Sequence, residues 1–279
     1  MSQTPRNIGL GAPGPFSADQ LKSKDPYELS NGHALFTPPT GQRGGKGNLE
    51  GGKVLATDPD VTSAGIDVGF SAGPKELRAP DISIGNVGDG PGWSTTAPPL
   101  AVEYADVGQD EAELKAKIGE LFAAGTRFIW VVRLATPERH IEVHEPGKIR
   151  QIKRAGESLT APGILRNPVP VEAMWDGEVA NAMTLRNLLN RAGYESVESV
   201  RQAGLEKGLE EGLEQGLEKG LEQALAVSRA TLLRIAEARA LVLDDASRTK
   251  VATERSLSVL SGWTARAATV ASGDAIFDE

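Results

Sequence analysis

The sequence has 279 residues, 39% of them hydrophobic, which suffices for one sizeable core and an accessory segment but is low for a single compact domain. Its 38 acidic and 30 basic residues give a formal net charge of −8, which argues against a large surface for tight, non-specific binding of nucleic acid. The lack of cysteine excludes disulfides and thiolate metal sites, and this favours hard ions such as magnesium if a metal is bound.

The apolar segments do not predict insertion into a membrane. The first residues lack the apolar stretch of a signal peptide. The strongest apolar run, residues 128–132, is far too short to cross a bilayer. We therefore expect a cytoplasmic protein with no membrane partner.

The first part of the chain alternates turn-rich segments with short apolar runs. Residues 1–20 combine glycine, proline and polar residues without apolar periodicity, which predicts a flexible N-terminal arm. Residues 37–53 are so rich in turn-forming residues that we expect no regular element there. Strands are predicted in three short runs, with a loop over 85–99 between the last two: residues 65–70, 82–84 and 100–104.

An amphipathic helix is predicted over residues 110–124. Leu114, Ile118 and Leu121 recur at helical spacing and would share one face. Acidic residues in the first turn and Gly125 directly after the last turn are typical of helix ends.

Further strands follow this helix. The continuous apolar run 128–132 is typical of a strand buried on both faces. Residues 140–144 alternate between apolar and polar, and a shorter strand is predicted to end near Trp175. This order of strand, helix and buried strand predicts an α/β layer domain.

The remaining chain is predicted to be a helical tail over residues 179–262, followed by a disordered C-terminus over 263–279. From Gly204 the sequence Gly-Leu-Glu recurs every four residues, so that its leucines advance about 40° per repeat around a straight helix. Each glycine costs roughly 1 kcal/mol of helix propensity relative to alanine. Two interpretations stay open: a helix that pairs closely with another helix, and a solvated, partly frayed helix.

Two carboxylates and one lysine are candidates for a common site. Asp81 begins one predicted strand and Glu103 ends another, so neighbouring strands would bring their carboxylates together. A divalent cation relieves the repulsion between such carboxylates, polarises a phosphate and acidifies a bound water. Lys117 on the following helix could direct its ammonium group into the same site. In a chain with 38 acidic residues, this spacing alone is weak evidence.

Several short motifs in a fixed order strengthen that hypothesis. They are Tyr27-Glu28 with Gly32, Asp67-Val68-Gly69-Phe70, Arg78-Ala79-Pro80-Asp81, Pro98-Pro99-Leu100-Ala101-Val102-Glu103, Glu113 with Lys117, and Ala124-Gly125 before Phe128-Ile129-Trp130. In this order the motifs resemble the Uma family, a group of predicted endonucleases in the PD-(D/E)XK nuclease superfamily.

The resemblance implies a restriction-endonuclease-like fold over residues 21–178, with a mixed sheet flanked by helices and an extended C-terminal helical segment after it. It also implies that Asp81 and Glu103 bind magnesium, that Lys117 is the catalytic lysine and that Glu28 is an accessory acid. The implied substrate is DNA.

The sequence departs from the family pattern at several positions. Ala105 lies two residues after Glu103, at a position where many members of the family also lack a lysine. Asp106 replaces a serine and Arg133 replaces an aspartate. The histidine that the family carries after the early proline-rich segment is missing, and Arg43 and Lys46 occupy that region. These changes bear on activity more than on the fold.

Other candidate residues carry less weight. His140 and His144 would share one side of a strand and could bind a metal, although histidines on an exposed strand are more often plain surface residues. Lys115 could replace Lys117, but its helical angle places it away from the apolar face.

Two hypotheses follow from the sequence. The first is a magnesium-dependent DNA endonuclease that forms a homodimer through its helical tail, so that both strands can be cut. The second is a catalytically degenerate nuclease-fold module that acts in interaction or assembly through that tail.

Overall fold

The computed structural model describes residues 14–278, and its internal contacts divide the chain into two units. The first unit ends at Val197 and the second begins at Glu198. Among the described residues, no helix is both long and apolar enough to span a membrane.

The first unit contains twelve short strands and three α-helices within its described part. The strands are β1 (Tyr27–Ser30), β2 (His33–Phe36), β3 (Ala64–Ile66), β4 (Phe70–Gly73), β5 (Glu76–Arg78), β6 (Ile82–Ile84), β7 (Leu100–Ala105), β8 (Phe128–Arg133), β9 (His140–His144), β10 (Gln151–Arg154), β11 (Ser158–Leu159) and β12 (Val169–Pro170). The helices are α1 (Gln42–Ala56), α2 (Glu111–Ala123) and α3 (Gly177–Arg191), with 3₁₀ turns at Ala18–Gln20 and Val171–Met174.

A six-stranded mixed sheet forms the centre of this unit, in the order β10-β9-β8-β7-β6-β3. Strands β7 and β8 are parallel and are connected through α2, whereas the other neighbours are antiparallel. A second, four-stranded sheet has the order β2-β1-β5-β4. The predicted α/β class, a mixed sheet flanked by helices and followed by a long C-terminal helix, is confirmed.

Side chains of β7 alternate between the two faces of the six-stranded sheet. Val102 and Tyr104 belong to the core on the side of α1 and α3. Ala101 and Ala105 belong to the core on the side of α2. The alternation therefore directs Glu103 towards α2.

Helix α1 corrects the prediction that residues 37–53 contain no regular element. Its glycines permit close contact with the sheet, because a Cβ atom on Gly47 or Gly51 would overlap the ring or hydroxyl of Tyr104. A Cβ atom on Gly51 would also lie 2.8 Å from the terminal methyl of Met174. The same glycines that lower helix propensity thus give α1 its packing surface.

Helix α3 corrects the predicted boundary between domain and tail at residues 178 and 179. Ala180 and Met183 are buried in the core of the first unit. Asn187 is fully buried and donates a hydrogen bond to the carbonyl oxygen of Val54 in α1, at 2.9 Å. The helix thus belongs to the domain whose sheet it covers.

The predicted flexible arm over residues 1–20 differs from the structure where the structure describes it. Residues 1–13 lie outside the described residues. Phe16 and Ala18 are buried against Leu29 and Leu77 of the four-stranded sheet. The indole nitrogen of Trp93 donates to the carbonyl oxygen of Ala18 at 3.1 Å, which ties this segment to the loop before β7.

The second unit contains α4 (Val197–Ala238), α5 (Asp245–Thr253), α6 (Leu257–Ala267) and a 3₁₀ turn at Asp274–Ile276. Its core includes Leu232, Val251 and Leu260. Trp263 and Ile276 are also buried there, in contrast to the predicted disorder of residues 263–279. Leu260, Trp263 and Ala267 recur at helical spacing and form the buried face of α6, whereas Ile276 becomes buried only after the chain turns back.

We expect Gly51→Ala to destabilise the protein by about 1–3 kcal/mol, because the new methyl group would overlap Tyr104 and Met174. The matched control is Gly45→Ala in the same helix, where an added Cβ meets nothing within 4 Å. That change should stabilise the protein by up to about 1 kcal/mol through helix propensity. Urea denaturation of both variants measures the difference, and stabilisation by Gly51→Ala would contradict this account of α1.

Candidate active site

Lys117 lies at the centre of the candidate site. The side chain of Asp110 caps the N-terminus of α2 by accepting hydrogen bonds from two backbone amides. Two turns later, the ammonium nitrogen of Lys117 lies 2.9 Å from Oε1 of Glu103 and 3.1 Å from Oε1 of Glu28. It also donates to the carbonyl oxygen of Ala79 at 2.8 Å. Three segments that are distant in sequence therefore meet at one amine.

Asp81 lies beside Glu103 because of the strand register. Ile82 of β6 pairs with Val102 of β7 in an antiparallel arrangement. Asp81 precedes Ile82 and Glu103 follows Val102, so these two acids are neighbours across the strand pair. The Asp81 carboxylate accepts a hydrogen bond from the backbone amide of Tyr104 at 2.6 Å. It accepts a second one from the Asn48 side chain at 3.3 Å, which connects it to α1.

Arg78 is the most deeply buried charged group near the site, with 2% of its surface exposed. Its guanidinium pairs with Glu28 at 3.0 Å, with Glu113 at 2.6 Å and with Glu120. Glu113 and Glu120 lie on the same face of α2 as Lys117, since they are separated from it by four and three residues. Glu28 therefore contacts both cations, one through each carboxylate oxygen.

The charges of the site are unbalanced, with five carboxyl groups around two cations. Burial raises the pKa of Glu103 to about 8, although the Lys117 ammonium acts in the opposite direction. Burial also raises the pKa of Asp81. Burial alone would lower the pKa of Lys117, but the carboxylates of Glu103 and Glu28 outweigh it and raise that pKa above its ordinary value. The amine stays charged at neutral pH.

The oxygen atoms of the site fit a magnesium ion held by two carboxylates and completed by water or phosphate. Among the described residues, Oδ1 of Asn48 is buried without a hydrogen-bond partner, whereas Oε1 of Glu103 lies 2.9 Å from the Lys117 ammonium, so a metal would share the Glu103 carboxylate with that cation. Residues 14–278 contain no group of three or more histidine, aspartate or glutamate side chains arranged to hold a metal. Asp81 and Glu103, neighbours across β6 and β7, are the two carboxylates of this site that would hold such an ion.

The structure brings together the four residues that the sequence analysis selected: Glu28, Asp81, Glu103 and Lys117. Sequence reasoning did not assign a role to Arg78, although it is the first residue of the Arg-x-Pro-Asp motif. Asn48 gave no sequence signal, because the helix that carries it was not predicted.

The remaining candidates lie elsewhere. Nδ1 of His140 lies 3.1 Å from the carbonyl oxygen of Glu138, and Nε2 of His144 lies 3.2 Å from a carboxylate oxygen of Glu142. Arg133 pairs with Glu111 and Glu142, so the position where the family has an aspartate is part of a separate ion-pair cluster. Lys115 is exposed on α2.

A cavity of about 830 Å³ lies near the opposite end of β7 and includes none of the four selected residues. Its lining includes Asp60, Pro99 and Arg127. The guanidinium of Arg127 donates to the carbonyl oxygen of Gly163 at 3.1 Å, so this cation already has a partner within the chain.

Comparison with solved structures gives a match to a candidate nuclease belonging to DUF820 from Anabaena variabilis ATCC 29413. The two chains are 15% identical, the TM-score is 0.49, and the match covers 60% of this chain and 99% of the other. Neither a family model nor a curated protein matches the sequence. A similarity at this level does not establish a common function.

We expect Arg78→Met to destabilise the protein by about 3–5 kcal/mol, because it leaves three carboxylates around a buried position without their cation. The control is Arg166→Met, which removes an exposed ion pair with Asp60 and should leave the stability nearly unchanged. Urea denaturation at neutral pH measures both. Equal small losses would show that the buried cluster is not needed for folding.

Proposed function

We propose that the chain is a magnesium-dependent DNA endonuclease that hydrolyses phosphodiester bonds. The observation that supports this most directly is the position of the Lys117 ammonium, 2.9 Å from Glu103, with Asp81 on the neighbouring strand. Two acids on adjacent strands can hold a metal that assists phosphate hydrolysis, and an amine from the next helix can stabilise the charge that develops.

In this proposal Asp81 and Glu103 hold the metal. Hydrogen bonds from Tyr104 and Asn48 fix the orientation of the Asp81 carboxylate. A magnesium ion bound there would polarise the scissile phosphate and acidify a water molecule. The excess of carboxylates over cations favours binding of a positive ion.

Lys117 acts as a fixed positive charge rather than as a base. Its carboxylate neighbours raise its pKa, so the ammonium keeps its proton at neutral pH. A charged amine at this place stabilises the negative charge that develops on the phosphate or orients the attacking water. Glu28 positions the amine from the opposite side, at 3.1 Å, and Arg78 holds Glu28 in place.

DNA as the substrate rests on the resemblance to the Uma family and on the chemistry of this site. The net charge of −8 is compatible with a substrate that is bound locally rather than along a broad basic surface. Two copies joined through the tail would supply two sites, one for each strand.

A second candidate is a degenerate nuclease-fold module that acts through its helical tail. It is favoured by the position of Lys117, whose ammonium already forms ion pairs with both Glu28 and Glu103. In that case the site is a structural ion-pair cluster, and the helical tail carries the function.

Purified protein is expected to nick supercoiled plasmid with magnesium, and Asp81→Ala, Glu103→Gln or Lys117→Ala should each lower the rate roughly 100-fold or more. The matched control is Lys115→Ala, two residues away and exposed on the same helix, which should retain the wild-type rate. Equal nicking by wild type and Asp81→Ala would refute the assignment.

Calorimetry with magnesium separates the two candidates without a nuclease assay. The nuclease proposal predicts binding that Asp81→Ala abolishes and Lys115→Ala preserves. A degenerate module should bind no magnesium through these carboxylates, so an absence of heat for the wild type would favour the second candidate.

A further inference from the structure

Strands β9 and β10 extend the six-stranded sheet beyond the part that α2 covers. The core under α2 contains residues of β7 and β8. The strand register forms straight rows across the sheet, and the side chains of one row point to the same side. One row on the α2 side contains Glu103 of the candidate site, Val131, Glu142 and Ile152. Ile152 is 39% exposed, so this side of β10 is open within the described chain.

Basic and imidazole side chains flank this row on β9 and β10. The neighbouring row, towards the end of β7, contains Ala105, Arg133, His140 and Arg154. On the other flank, His144 of β9 lies beside Arg150, which directly precedes β10. The α2 side of this hairpin therefore presents two exposed arginines, Arg150 and Arg154.

Glu142 holds the cations of this face in position. Its carboxylate accepts hydrogen bonds from Arg133 at 3.2 Å and from Arg150 at 3.0 Å. Nε2 of His144 lies 3.2 Å from the same carboxylate. Burial alone would raise the pKa of Glu142, but the hydrogen bonds of His144 and Arg133 outweigh it and lower that pKa to about 2. The carboxylate is therefore ionised at neutral pH and fixes its neighbours.

The charge balance of this face is the reverse of that in the candidate site. Five carboxyl groups surround two cations in the site, whereas here two guanidinium groups and an imidazole share the buried carboxylate of Glu142. Arg133 also pairs with Glu111, which is 65% exposed. Residues 139–154 contain five lysine or arginine residues and two glutamates, although the whole chain has a net charge of −8. A local excess of fixed cations in an acidic chain is complementary to a polyanion.

We propose that the α2 side of β9 and β10, with Arg150 and Arg154, binds the phosphate backbone of DNA next to the bond that the site cleaves. The inference rests on DNA being the substrate of that site, as proposed above. It assigns the two arginines to backbone contacts, which position a duplex but do not read its sequence.

The spacing across the sheet fits a duplex that reaches both places. Neighbouring strands lie about 4.8 Å apart, so β9 and β10 lie about 10 and 14 Å from Glu103 along its row. A duplex advances 3.4 Å per base pair, so these distances correspond to about three to four base pairs. Arg150 and Arg154 are four residues apart on an extended strand, about 13 Å, and can contact two different phosphates.

The first test measures binding of the full chain to a short fluorescent DNA duplex by anisotropy, in EDTA so that no metal-dependent cleavage occurs. Arg150→Gln with Arg154→Gln should weaken binding roughly tenfold or more at about 0.1 M salt. The slope of log K against log salt should become shallower by about two, because two phosphate contacts are lost.

The matched control is Lys153→Gln with Arg166→Gln, which removes the same charge from the first unit. Lys153 lies on the other side of β10, and Arg166 pairs with Asp60. This double variant should bind the duplex within about threefold of the wild type. Circular dichroism checks that both double variants keep their fold.

A wild-type protein that does not bind the duplex at about 50 mM salt, where backbone contacts are strong, would overturn the proposal. An equal loss in both double variants would overturn it as well, because net charge rather than this face would then explain the binding.

Plasmid nicking separates the binding face from the catalytic site. A wild-type protein that binds DNA through the two arginines but nicks no plasmid with magnesium would support the face and refute the nuclease activity. An arginine double variant that nicks with the KM and the salt dependence of the wild type would refute the face and leave the nuclease proposal intact.

The second test locates the contact with single cysteines, which the cysteine-free chain permits. Ile152→Cys places a thiol on the proposed face, and Gln151→Cys places one on the other side of the same strand. Both positions are exposed. Saturating duplex should slow alkylation of the first thiol several-fold and leave the second nearly unchanged. Equal protection of both thiols, or of neither, would contradict the proposed contact.

Discussion

The ammonium group of Lys117 connects the four-stranded and the six-stranded sheet of the first unit, and the candidate site depends on that connection. Glu28 comes from β1 of the four-stranded sheet, and Glu103 comes from β7 of the six-stranded sheet. A buried charge without a counter-charge is strongly unfavourable, so each carboxylate restricts where the amine can lie. Arg78 makes a similar connection, because it pairs with Glu28 of β1 and with Glu113 and Glu120 of α2. The polar cluster therefore orders the layers as well as the site.

The sequence predicted those parts of the molecule in which one pattern dominates. The buried strand β8 and the amphipathic helix α2 follow directly from the spacing of their apolar residues. The proximity of Asp81 and Glu103 was a hypothesis from the order of the motifs, since apolar spacing does not determine which strands pair. Helix α1 could not be predicted, because its glycines have low helix propensity and become favourable only against Tyr104. The role of Asn48 was hidden for the same reason. The burial of the C-terminal segment, residues 263–279, was not predicted, because it depends on contacts with the other helices of the second unit.

The electrostatics of the site explain why two functions remain compatible with one arrangement. Burial opposes ionisation of Glu103 and Asp81, while Lys117 favours it. A cluster of this kind holds its charges in fixed positions whether it serves catalysis or only cohesion between layers. The orientation of the Asp81 carboxylate is set by hydrogen bonds from Tyr104 and Asn48, which carry no charge themselves, whereas Glu103 is held by Lys117.

Tyr104 joins the site to the helical layer on the other side of the sheet. Its backbone amide binds Asp81, while its hydroxyl donates to the carbonyl oxygen of Met174 at 2.8 Å beneath the glycines of α1. A displacement of α1 would therefore reach the Asp81 carboxylate by two routes, through the strand end at Tyr104 and through the hydrogen bond from Asn48. Substitutions in the glycine-rich helix can thus disturb the site while all its acids and its lysine remain in the sequence.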